Sequence, residues 1–424
     1  MNKLISALSF TVFLALPFAA QAQPPYQVTS GANDGPGTLR EALASGATRI
    51  IIKPNVAGIV VAESLVYTGT APLTVTGSGQ TIDGSGLTDK STPIFAVTAG
   101  ADLSLSNLSF DGGGGYSIEN QGGGKGIFVD VPLDREGMVT LDLHRVSVFN
   151  TGNHGIHVSD CTEGDDCGGG QGGGGDGSTA SIYVSLVDVL IDGVGFGKQD
   201  ADGLRVDDRN DGDIYLSATN SRFVNVGADG IELDEGNAGS VIVNVRNSVF
   251  NMNGAYCSDE LADVPIADEV LLILDPKCDD DGEPDVDDAF DIDEAGPGGI
   301  SGIVRNLTLI DNFDEGLDFD SEGEGPDNLV DLTIVDITAS GNADEAIKVS
   351  EEGGASVIVS LRALDIEGDV EVEEEDEGDL RVFLRGSVIG DDLKLSEDGT
   401  GEGTAKIRGS TIGDELDFNN IDSI

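Results

Sequence analysis

The sequence predicts an all-β solenoid, a parallel β-helix with coils of about 23–30 residues. Three observations predict it. First, β-rich runs such as RIIIKP, GIVVAE, LTVTGS, LSLSNLSF, VIVNVRNSVF and NLTLID alternate with Gly, Asn and Asp turns. No helices separate them, which excludes a βαβ sheet and leaves a sandwich, a barrel or a solenoid. Second, the acid–glycine turn recurs, as in ADGIELDEGNAG at Ala228–Gly239. Third, the aliphatic after that turn keeps a period. It falls at Ile127, Ile156, Leu204, Ile231, Leu317, Ile347, Val370, Leu393 and Leu416, and the last three steps are 23 residues each. Earlier uninterrupted steps are 29, 27 and 30 residues. Such periods with β content mean stacked coils, each burying its aliphatics on its neighbours.

The elements follow in chain order. Lys3, the apolar run Leu4–Phe18 and the small residues Ala20 and Ala22 read as a secretory signal over 1–22. The run is too short to span a bilayer. The β-helix domain is expected over 23–424. Thr38 as N-cap and Glu41 three residues on predict a helix over 38–45, with Leu39, Ala42 and Leu43 on its apolar face and Gly46 ending it. Cys257 lies 26 residues after Ile231 and is expected to mark one more coil. Two insertions interrupt the ladder: a Gly-rich one over 161–178 and an acidic one over 258–299. The short final coils run to ELDFNNIDSI with no evident cap, an edge that could pair end to end.

Charge narrows the function. The formal net charge is -56, from 22 Lys and Arg against 78 Asp and Glu. Residues 1–150 carry 12 acids and 8 bases, whereas 151–424 carry 66 and 14. Nucleic acid is excluded as a partner, because phosphate binding needs a basic surface. Polyuronates would be repelled unless cations bridge. The absence of Trp argues mildly against a sugar-chain enzyme. The four cysteines, Cys161, Cys167, Cys257 and Cys278, suit disulfides in an exported chain. The local pairing, 161–167 and 257–278, is expected because each pair brackets an insertion.

Stacking puts equivalent residues of adjacent coils about 4.8 Å apart, so columns carry the chemistry. One residue after each marker, Arg205 can pair with Glu232, Lys348 with Asp318, and Lys394 with Glu371 or Asp417. Two residues before the marker, Asp202 stacks on Asp229, and Asp391 on Asp414. At 5 Å two carboxylates repel by about 0.8 kcal/mol in water and about 3 kcal/mol at an effective dielectric of 20. Partly buried, they would recruit a hard cation with oxygen ligands. The acidic insertion adds D-x-D-G-x-x-D-x-x-D from Asp279, through Asp281 and Asp285 to Asp288. This resembles the calcium loops of thrombospondin type 3 repeats without their leading Asp. Ca2+ is therefore the expected cofactor, with Asp279, Asp281, Asp285, Asp288, Asp202 and Asp229 as its candidate ligands.

GTLREAL, GSGQTIDGSG, LSLSNLSFDG and the repeated N…DGI.LD turns together resemble the right-handed parallel β-helix proteins of the pectate-lyase-like superfamily. The resemblance implies the pectin lyase fold over nearly all of the chain. That fold serves lyases, hydrolases and adhesins alike. Were the chain an enzyme, Arg205, Asp207, Asp208 and Asp234, with His157 near, would form the outer-face cluster, the carboxylates as acid and base. NHGIHV at Asn153–Val158 is similar to the GHG element of polygalacturonases, but here the His precedes the Asp motifs and no Arg-x-Lys follows. The expected protein is a secreted, extracellular or periplasmic, calcium-binding β-helix that acts as a surface or matrix protein. Its expected partners are a polysaccharide bound through calcium or a second copy end to end. The alternative is a calcium-dependent polysaccharide lyase or glycoside hydrolase.

Overall fold

The structure, a computed structural model, describes residues 24–423 apart from 88, 90, 116–121, 162–176, 199, 258–278, 281–282, 285–286 and 323–327. The predicted leader and most of both insertions lie outside the described residues.

The chain winds as a right-handed parallel β-helix. One sheet stacks twelve strands in chain order, from Leu65–Tyr67 to Leu416–Asn419. A larger sheet takes the remaining strands of each coil; Thr179–Val187 pairs with Ile214–Thr219, which pairs with Ser240–Arg246. Every described pairing is parallel except a hairpin between Asp279–Asp280 and Glu283–Pro284. The markers stack as the period requires. Ile127, Ile156, Leu204 and Ile231 are register partners, as are Ile347, Val370, Leu393 and Leu416.

One coil differs from expectation. Ile231 pairs with Phe290, not with Cys257. The strand Phe290–Ala295 and part of the next, Gly299–Arg305, thus fall inside the span 258–299 read as insertion. FDIDEA is half acid and looks like loop, but its period is two: Phe290 and Ile292 are buried, while Asp291 and Asp293 face outward.

The core is a set of columns. Phe223, Phe250 and Phe290 stack with ring centroids 4.9 and 5.9 Å apart. At one corner the backbone turns through the left-handed region in coil after coil, at Asn107, Arg145, Asp188, Asn220, Asn247, Asn306, Asp336 and Ala363. Asn tolerates that region best among residues with a Cβ, and its amide adds a ladder: Asn247 donates to Asn220 at 3.3 Å and Asn306 to Asn247 at 2.8 Å. The helix spans Leu39–Ala44 and buries Leu39, Ala42 and Leu43. Thr38 Oγ1 accepts from Glu41 N as predicted, but the Glu41 carboxylate returns to Gly37 N, because Thr38 N donates to Gly35 O.

Candidate functional site

The twelve-stranded sheet carries the chemistry on its outward side. His157, Arg205 and Glu232 are register partners in three successive coils, and so are Ser159, Asp207 and Asp234. Arg205 Nε donates to Asp207 Oδ1 at 2.8 Å, Nη1 to Asp200 at 2.9 Å and to Glu232, and Nη2 to Asp234 at 3.4 Å. Arg209 donates a second hydrogen bond to Asp234. Lys125 Nζ lies 2.8 Å from His157 Nδ1, and His157 Nε2 lies 2.6 Å from Asp207 Oδ2. An ammonium only donates, so Nδ1 accepts and Nε2 carries the proton given to Asp207. Burial, then the Lys125 charge, lowers the His157 pKa to about 3, so this imidazole is neutral. Burial alone would raise the Asp207 carboxyl. Arg205 and the His157 hydrogen bond bring it well below the usual range instead.

Four of the five enzyme candidates, His157, Arg205, Asp207 and Asp234, therefore do come together. Asp208 does not join them, because strand alternation turns it to the inner side. The cluster is closed: His157 is 0% exposed and Arg205 6%. A general acid or base must reach the proton it moves, and both nitrogens of His157 are held by neighbours.

Further along the same face lies a grid of nine carboxylates. Its rows are Asp229, Glu232 and Asp234; then Asp288, Asp291 and Asp293; then Glu315, Asp318 and Asp320. Register fixes it, since Glu232 pairs with Asp291 and Asp291 with Asp318, while Asp234 pairs with Asp293 and Asp293 with Asp320. Three groups have carboxylate oxygens within 4.8 Å of one another: Asp200–Asp202–Glu232, Glu232–Asp291–Asp293 and Asp288–Glu315–Asp318. Arg205 already sits in the first. Lys348 serves the third, 2.9 Å from Asp318 and 3.8 Å from Glu315. No Lys or Arg pairs with the middle row among the described residues. Burial, then neighbouring carboxylates, pushes Asp288 and Asp291 well above the usual range and Asp293 up to about 7. Asp318 rises to about 8 by burial and then Asp320, and its Oδ1 is buried without a hydrogen-bond partner among the described residues. A cleft over this region is lined by Asp293, Asp320, Glu322 and Glu352.

The column before the markers is relieved in part by backbone. Asp202 accepts from Asp229 N at 3.1 Å, Asp229 from Asp288 N at 2.6 Å, and Asp288 from Glu315 N at 2.8 Å. Asp202 also lies 3.2 Å from His154 Nδ1 and 3.5 Å from Arg205. In the final coils Asp369 and Asp392 make these bonds, to Asp392 N and Glu415 N, rather than Asp391 and Asp414. The shorter coils shift that role by one residue. Of the expected salt ladder, Arg205–Glu232 and Lys348–Asp318 form, and Lys394 reaches Glu371 at 3.0 Å and also Glu345 at 2.8 Å.

Asp288 thus belongs to the sheet face. Asp281 and Asp285 of the expected calcium loop lie outside the described residues, and Asp279 is described through its backbone pairing alone. Cys161 and Cys257 are engaged rather than free, while Cys167 and Cys278 lie outside the described residues.

Sequence reasoning missed a further column, four residues after Phe290 and after the markers from Ile156 to Leu393: Asp160, Asp208, Glu235, Glu294, Ser321, Glu351, Glu374 and Glu397. All eight are buried. They face inward, as the alternating burial of Val370–Glu374 and Leu393–Glu397 shows. The available signal was an acid followed four residues later by Gly, at 208 and 212, 235 and 239, 294 and 298, 374 and 378, and 397 and 401.

No family model matches this chain, and no curated protein does. Three solved structures are similar to it. A polygalacturonase from Erwinia carotovora ssp. carotovora has TM-score 0.43 and 13% identity over 96% of this chain and 98% of that one. The Agl-KA catalytic domain has 0.35 and 11% over 95% and 69%. PfbA, a surface adhesin of Streptococcus pneumoniae, has 0.30 and 11% over 88% and 85%. The register ladders define the class, a right-handed parallel β-helix. The three relatives differ in what they do, and none assigns an activity to this chain.

Proposed function

We propose that this chain is an exported, calcium-binding β-helix acting as an extracellular surface or matrix protein, which holds acidic glycans through cations on its sheet face. The observation that carries this reading is the middle row of the grid, Asp288, Asp291 and Asp293. These carboxylates are crowded by others on both sides and lack an ion pair among the described residues. Neutralising them at neutral pH takes protons or a hard cation, and close carboxylate oxygens suit calcium's six to eight ligands. Cations would also let a chain of charge -56 hold a polyuronate that it otherwise repels. The test is a thermal melt of the mature protein in chelator and in millimolar calcium, followed by polyuronate binding under both conditions. We expect a midpoint several degrees higher with calcium, by linkage, and binding only with calcium. Identical melts would discard the reading.

The second reading is a calcium-dependent polysaccharide lyase or glycoside hydrolase. It draws on the meeting of Arg205, Asp207, Asp234 and His157, and their closure weighs against it. Unsaturated products or new reducing ends from polyuronate with calcium present would favour it.

A further inference from the structure

The inward column divides into two kinds of rung. In the later coils the carboxylates take hydrogen bonds from turn amides. Glu351 accepts from Gly353 N at 2.9 Å and Gly354 N at 3.1 Å, Glu374 from Gly378 N at 2.6 Å, and Glu397 from Gly401 N at 3.1 Å. Glu374 and Glu397 still leave one oxygen each, Oε2, without a partner among the described residues, and the central rungs take no turn amide at all. Asp208 and Glu235 are both 0% exposed, and none of their four carboxylate oxygens has a donor among the described residues, Asp208 facing the carboxyl of Asp160. Glu294 gives one oxygen to the Ser321 hydroxyl at 2.7 Å, and its Oε1 lacks a partner. Five acceptor oxygens thus stand without a donor on three consecutive rungs, since Asp208 pairs with Glu235 and Glu235 with Glu294.

The glycines four residues on complete the arrangement. The place a Cβ would take at Gly239 is filled by the Gly212 carbonyl oxygen and Glu235 Oε1. At Gly298 it is filled by the Gly239 carbonyl oxygen and Glu294 Oε1. At the Glu235 and Glu294 rungs a carbonyl oxygen of the previous coil therefore lies beside a carboxylate oxygen of its own coil, as it also does beside Glu374 and Glu397. Oxygens that only accept gather where the chain keeps room clear of side chain.

We propose that Asp208, Glu235 and Glu294 hold divalent cations inside the coil corner, calcium by their all-oxygen donor set. A proton on each acid would supply one donor and leave the other oxygen bare, whereas one calcium ion engages many oxygens at once, backbone carbonyls included. The upward pull of burial on Asp208 and Glu235 outweighs the opposing charge of Arg209. The inner site stands apart from the outer grid, because these side chains lie on the opposite side of the strands.

The test compares the full mature chain with an inner variant, Asp208→Asn with Glu235→Gln, and an outer variant, Asp291→Asn with Asp293→Asn. Calcium bound per chain is measured by atomic absorption after dialysis, and melting midpoints are taken in chelator and in calcium. The inner variant is expected to bind fewer calcium ions than the parent and to lose a distinct part of the calcium-dependent midpoint rise, while the outer variant keeps that part. Should the inner variant not fold, Glu235→Gln alone carries the same comparison. If the inner variant binds as much calcium as the parent, or melts higher in chelator with the calcium rise unchanged, the acids hold protons and the inference is overturned. Loss confined to the outer variant overturns it too and leaves the sheet-face reading standing. Loss confined to the inner variant does the reverse.

Discussion

At the scale of single residues, Arg205 carries the most. Its guanidinium is the cation shared by Asp200, Asp207, Glu232 and Asp234. Replacing it by Met leaves Asp207 and Glu232 buried without their ion pair, while Asp234 keeps Arg209. Breaking a buried pair from one side costs about 3–5 kcal/mol, so R205M should lower the urea midpoint by a corresponding amount. A change under about 1 kcal/mol would mean that the acids are neutral without it. His157 gives a sharper check. Its folded pKa, about 3, lies below the ordinary value of 6.5. The unfolded chain therefore binds the proton first, and stability contributed by His157 is lost as pH falls from 6.5 toward 3. Nitrogen chemical shifts at pH 5 should report a neutral ring protonated on Nε2, and a midpoint near 6.5 would contradict the relay.

At the scale of elements, the corner that repeats the left-handed backbone has two occupants other than Asn, Asp or Gly, Arg145 at φ 54° and Ala363 at φ 53°. The left-handed region costs an L-residue about 1–2 kcal/mol, and glycine avoids it at the cost of a freer unfolded chain. Ala363→Gly should therefore stabilise by roughly 0.5–1 kcal/mol, read from denaturant unfolding. Elements also show what the sequence could and could not tell. The marker period located the rungs because each buried aliphatic must meet its counterpart above and below. It failed at Phe290–Ala295, where acids on the outward positions hide an alternating strand inside a charged stretch. It predicted the Arg205, Lys348 and Lys394 pairs, since those depend on register alone. It could not show that Asp208 points inward while Asp207 points outward, nor that turn amides answer some inner carboxylates and not others. Those facts depend on turn geometry, which one sequence without its fold does not fix.

At the scale of the whole molecule, most of the perturbed acids are raised, and they pull stability the opposite way from His157 and from the lowered Asp207. Burial, then like charge, raises Asp293 to about 7, and burial, followed by the carboxylate Asp320, raises Asp318 to about 8. Glu374 rises to about 8 through burial and then Glu397. Folded carboxyls with raised pKa bind protons that the unfolded chain has already released. Stability is then fully present below the unfolded pKa near 4 and is lost as pH rises through about 7–8. In chelator the melting midpoint should fall steadily from pH 5 to pH 8, and millimolar calcium should flatten that fall. A chelated protein that grows more stable over this range would refute the placement of these acids in poorly solvated positions.

The rung-on-rung pairing has a mechanical consequence. The strands of each coil pair with those of the one before and the one after it. Tension applied at the carboxyl end would load the last pairing first, and the chain would peel one turn at a time rather than shear as a block. A 23-residue turn, such as Leu393 to Leu416, pays out roughly 76–83 Å of extended chain as it lets go. Stretching single molecules should yield a train of evenly spaced ruptures, with wider spacing where the longer central turns begin to yield.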